Sequence, residues 1–143
     1  MGTLYEDDVI AWSEQQAALL RAGRWELLDI DNIAEEIEDV GKSEKRELQS
    51  RLTVLFSHLL KWKFQQTRRT NSWRKTIRTQ RAEIKKDIKK CPSLKTLMSD
   101  PAWVETAYHR AVVDTYAQTL LPALPIDAPW SVAEAMSDEF FPE

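Results

Sequence analysis

The stretch S43-EKRELQSRLTVLFSHLLKWK-F64 decides the fold. Leu48, Leu52, Leu55, Leu59 and Trp62 recur at a 4-3-4-3 spacing, and Phe56, Leu60 and Phe64 widen the same face. That period is helical, and a face this broad belongs to a central helix packed on more than one side. Ser43 followed by Glu44 gives the helix a start.

Outward from this helix the same template recurs. Thr3 with Glu6 three residues on forms a capping box. The stripe behind it is Tyr5, Val9, Trp12, Gln16 and Leu19, with Leu20 beside it, and Gly23 stops the helix. A short second helix is expected from Asp29 or Asp31 to Gly41, burying Ile30, Ile33, Ile37 and Val40. Asn71 or Ser72 opens a helix whose stripe is Trp73, Ile77, Ile84, Ile88 and Cys91, and Pro92 closes it. Its seam has a long polar side chain, Arg81 or Gln80, where an apolar one belongs. Asp100 caps a further helix with Pro101 in first position, where the missing N–H is harmless. The segment 122–143 reads as a proline-rich coil plus a short helix capped by Ser131 and Glu134, packing on the bundle.

With three glycines in 143 residues and no bounded alternating run, the strand template fails. The expected class is all-α: one domain over 1–143, four to six helices, with long central helices near 43–66, 72–90 and 101–121. The one cysteine, Cys91, excludes an internal disulfide framework and points to a reducing compartment, so a cytoplasmic protein is expected. The acidic start has no basic region of a secretory signal, Glu6 stands where a myristoylation signal needs Ser or Thr, and no apolar run is of membrane-spanning length.

The net charge of −3 conceals segregation: residues 1–41 carry −9, 42–95 carry +13 and 96–143 carry −7. Such asymmetry fits either a polyanion partner or acidic and basic helices matched internally, and internal matching is the expectation. Lys61, Trp62, Lys63, Arg68, Arg69, Trp73, Arg74 and Arg78 fall near one helix corner, where cations and indoles can hold phosphates and bases; the bland reading is that both tryptophans complete the core. No Gly-rich phosphate loop occurs. No Glu-x-x-His pair supplies a bundle metal site, and Cys91 at a helix C-terminus is not activated. No cofactor or metal is expected. His58 flanks the stripe, where a general base or a core-edge histidine could sit. An indoor Arg81 needs a partner, because an unpaired buried charge costs several kcal/mol, on the order of a whole side chain's burial. Glu36 is the expected carboxylate, with His58 as a third member of the cluster.

The motifs W12–L52, "HLLKW" at 58–62, "SWRKTIRTQR" at 72–81, "CPSLK" at 91–95 and the late spaced prolines with an acidic end resemble the family named domain of unknown function 29. The matching motif residues are Glu36, His58, Lys61, Trp62, Ser72, Trp73, Arg74 and Arg81. The resemblance implies a helical, cytoplasmic bacterial protein of a kind frequent in cyanobacteria, and it implies no activity. The functional expectation is a non-enzymatic helical binding or interaction protein. Its candidate binding residues are Glu36, His58, Lys61, Trp62, Trp73, Arg74 and Arg81, with a protein partner or self-association and no membrane. The alternatives are a nucleic-acid-associated protein using 42–95, or an enzyme with His58 as base and Arg74 or Arg81 as anion clamp. A partner-binding module presents an exposed apolar patch, for which Trp130, Met136, Phe140 and Phe141 are candidates; folding back as a lid on the bundle is the expectation for them.

Overall fold

The computed structural model describes residues 3–143 and is all-helical, with no strand among the described residues. It divides into two compact units, Met1–Glu44 and Lys45–Glu143. In order the helices are α1 (Leu4–Asp7), α2 (Val9–Arg21), α3 (Ile30–Phe64), α4 (Asn71–Lys90), α5 (Lys95–Met98), α6 (Pro101–Thr119) and α7 (Val132–Met136).

Three local expectations are corrected. The helix begun by Thr3 is two helices, because Asp8 adopts a non-helical conformation and caps α2 through its carboxylate and the Ala11 amide. Gly41 does not end a helix, nor does Ser43 start one: α3 runs through both for 35 residues. An interior glycine costs only about 1 kcal/mol, and the Glu, Lys and Leu residues on either side are strong helix formers, so propagation wins over termination. Thirdly, the stripe expected to be buried before Gly41 is largely open, with Ile30 at 66%, Ile37 at 67% and Val40 at 67% exposure.

The other boundaries follow the sequence signals. Gly23 sits at φ +70° after α2, a conformation glycine adopts without strain. Thr70 caps α4 and Cys91 ends it. Asp100 caps α6 with Pro101 at its first turn, and the Ser131–Glu134 capping box is complete.

In unit 2, Leu48, Leu52, Leu55, Phe56, Leu59 and Leu60 of α3 meet Ile77 and Ile84 of α4 and Ala107, Tyr108 and Ala111 of α6 in one core. Trp130 and Ala135 close it, and Met136, Phe140 and Phe141 pack against it. These late aromatics are therefore a lid on the bundle, as expected. Beside the apolar stripe runs a second, polar one. Gln49, Thr53, Ser57 and Lys61, each four residues apart, are all buried and face α6. Ser57 and Thr115 share a hydroxyl–hydroxyl bond of 2.8 Å, Gln49 Oε1 accepts from Arg110 at 2.9 Å, and Lys61 Nζ donates to Gln118 Oε1.

In unit 1, α1 and α2 join the first part of α3. Trp12 Nε1 donates to Asp29 at 2.9 Å, Gln16 Oε1 accepts from the Asp29 amide at 2.9 Å, and Tyr5 stacks edge-on against Trp12. These polar ties settle a small unit that has little enclosed apolar volume of its own.

Candidate functional site

The most deeply buried cation is Arg81, with no exposed surface. It is not matched by Glu36. Its Nε donates to the Ala135 carbonyl at 2.7 Å and its Nη2 to the Phe140 carbonyl at 2.5 Å, while Nη1 has no partner among the described residues. The physical reason is local: α7 and the turn after it leave C-terminal carbonyls without helical partners, and a planar guanidinium fork satisfies two at once. Burial pushes the Arg81 pKa down, and the Asp138 carboxylate opposes that. Glu36, in unit 1, instead accepts the Tyr5 hydroxyl at 2.6 Å. His58 bonds the Val54 carbonyl one turn back at 2.9 Å, and burial holds its pKa below the ordinary imidazole value. The expected Glu36–His58–Arg81 cluster is therefore not formed by hydrogen bonds; each member has its own partners.

Part of the basic corner does assemble. Arg69 and Arg74 lie 4.8 and 5.4 Å from the Trp62 ring, and Trp62 is 5.1 Å from Phe141. Arg74, Arg78 and Arg81 approach the Phe141 ring at 5.7, 6.0 and 5.3 Å. Arg69 also donates to the Trp62 and Pro142 carbonyls. Trp62 is buried with guanidinium groups over its ring, and Trp73 is half-buried against the core, which leaves little ring face on which a base could stack. Lys75 and Arg78 are exposed to water. A cleft of about 490 Å³ remains beside this corner, lined by Trp62, Arg69, Thr70, Asn71 and Arg74. Lys61 is not part of it. Its ammonium points to Gln118, burial lowers its pKa, and Asp114 partly restores it.

Charge matching inside unit 2 is local. Arg51 meets Asp87 at 3.0 Å and Glu47 at 2.8 Å, with Glu83 at 3.9 Å, and Lys85 reaches Asp138 at 2.9 Å. No group of three or more His, Cys, Asp or Glu side chains among the described residues is arranged to hold a metal ion. The larger groove along α3 and α6, about 540 Å³, is lined by Ser50, Thr53, Val54, Thr106, His109, Arg110, Val113 and Asp114, and does not include His58. No described helix is long and apolar enough to cross a membrane.

The surface that sequence reasoning missed lies in unit 1. Ser13, Ala17 and Leu20 of α2 face Ile33, Ile37 and Val40 of α3 across a groove of about 370 Å³, with the buried Trp12 and Gln16 among its lining. Ile10 extends the α2 stripe and is 70% exposed. The signal was present as the 3-4-3 spacing of Ile30, Ile33, Ile37 and Val40, but spacing tells that a face is apolar, not what covers it.

A family model matches residues 4–141 and is described as domain of unknown function DUF29. The chain belongs to that family. No curated protein and no solved structure matches it. The DUF29 description carries no activity.

Proposed function

We propose that this DUF29 protein is a non-enzymatic interaction protein of the bacterial cytoplasm, in which the apolar groove of unit 1 receives a protein partner. One observation carries the reading: Ile37 and Val40, which line that groove, stand about two-thirds exposed, and Ile30 earlier on the same stripe is as open. Burying such a side chain is worth about 1.5–3 kcal/mol each, and open apolar rows of this kind mark interaction surfaces. The arginine-rich corner of unit 2 supports this reading over polyanion binding, because its aromatic rings are covered and Arg69 and Arg81 already hold carbonyls. His58 supports it over catalysis, because it lines none of the grooves described above, where a substrate would have to meet it.

The test is in-cell crosslinking in the source bacterium with the natural chain and with an Ile37→Glu, Val40→Glu variant. Both positions are exposed, so the variant should keep its helical circular dichroism. The expected result is a crosslinked partner species that the variant loses. Identical crosslinked species from both proteins, or none from either, would overturn the reading.

A further inference from the structure

We infer that the occupant of the unit 1 groove is a basic amphipathic α-helix of another protein; this rests on the interaction reading above and names the partner's chemistry. The shape argues for a helix. Ile33, Ile37 and Val40 of α3 and Ala17 and Leu20 of α2 line the groove at helical spacing, and Ile30 and Ile10 stand earlier on the same two stripes. Ser13 and Ala17 are small, which leaves room between the rows for the anchors of an incoming helix.

Charge argues for its sign. Residues 1–41 hold eleven acids and two bases, a net −9. Glu36 lines the groove, Glu14 follows Ser13 on α2, and the remaining acids lie on the same small unit. Of the nearby bases, Arg24 is paired with Glu26 and Lys42 with Asp39. A cationic helix is drawn to such a surface, and an acidic one is repelled.

The same facts argue against a second copy of this chain. Two unit 1 surfaces would bring together two strongly acidic bodies. The chain's own basic helix, α4, has no free apolar face to offer: Ile77 and Ile84 are fully buried, and Trp73 and Ile88 pack against the same core.

The experiment titrates the full chain into three labelled peptides, read by fluorescence anisotropy. The first is a leucine–lysine helix with leucines at i, i+3, i+4 and i+7. The second has the same composition with the leucines scattered. The third carries glutamate in place of lysine. An Ile37→Ser, Val40→Ser variant, neutral and at exposed positions, is run beside the natural chain, with circular dichroism to show that it is folded. The expected result is saturable binding of the first peptide, weakened about tenfold or more by scattering the leucines and by the variant. Salt should weaken it further. Equal binding of the glutamate peptide overturns the basic partner while the groove stands. Binding of the scattered peptide that the variant does not change shows charge attraction alone, and overturns both. If no peptide binds and sedimentation shows a dimer that the variant abolishes, the occupant is a second copy, and the inference falls while the groove stands. If no peptide binds and the chain stays monomeric, groove and inference fall together.

Discussion

Replacing Arg81 by methionine isolates what a buried guanidinium does in this fold. Methionine has similar length and no charge, so it fills most of the space without donating a hydrogen bond. The Ala135 and Phe140 carbonyls, now bonded at 2.7 and 2.5 Å, are left without those donors. Orphaning a buried acceptor costs about 1–3 kcal/mol, so two together cost about 2–6 kcal/mol. Against this, removing a charge from the interior returns a desolvation penalty, and swaps of buried ions for apolar residues gain about 1–4 kcal/mol in favourable cases. Arg81 is paired with no carboxylate in direct contact, but it donates to two carbonyls, and we expect the orphaned carbonyls to dominate. The net expectation is a loss of about 2 kcal/mol. Urea unfolding followed by circular dichroism would then show a midpoint lowered by about 1 M, for a slope of about 2 kcal/mol/M. Hydrogen exchange should rise first in residues 132–143, which these bonds tie down. Arg81→Lys keeps the charge but cannot span both carbonyls, and should be at least as destabilising. A methionine variant as stable as the natural chain, or a lysine variant that restores stability, would refute the reasoning.

Gly41→Ala should stabilise the protein by about 1 kcal/mol, because position 41 is inside α3, is exposed, and a Cβ there meets nothing within 4 Å. A lower thermal midpoint for the alanine variant would mean that the helix is not continuous at that point. On the alkaline side, the hydrogen bond to Glu36 raises the Tyr5 pKa to about 12, and burial raises that of Tyr108 to about 12. Both are raised relative to the unfolded chain, so their stabilising effect is complete below about pH 10 and fades as pH climbs toward 12. Phenolate absorbance should therefore show a late step that Tyr5→Phe diminishes; tyrosines ionising together near the ordinary value would contradict it.

Much of unit 2 was legible because its signals agree with one another. The Leu48–Trp62 stripe, the Asp100–Pro101 start and the Ser131–Glu134 box each specify a local structure that packing then confirms. Arg81 could be placed indoors by its position in the α4 seam, but its partners could not. A carboxylate is visible in sequence as a candidate mate, whereas the Ala135 and Phe140 carbonyls become available only once the late chain has folded back. Gly41 and Ser43 misled because each is a real helix-end signal of small magnitude, outweighed by its neighbours. The stripe through Ile37 and Val40 was read as core for a related reason: periodicity reports amphipathicity, and unit 1 has too little mass to cover every apolar face that it presents.

The polar row of Gln49, Thr53, Ser57 and Lys61 has a further consequence for how these sequences can change. Sliding α6 by one turn, about 5.4 Å, would exchange Ala111 for Ala107 in the core, like for like. It would also strand the hydroxyl of Ser57 from Thr115, the amide of Gln49 from Arg110 and the ammonium of Lys61 from Gln118. The row thus acts as a vernier, adding its own fixed alignment of the two helices to the one set by the apolar contacts. Substitutions along it should be tolerated in matched pairs, such as Ser57 with Thr115, far more readily than one at a time.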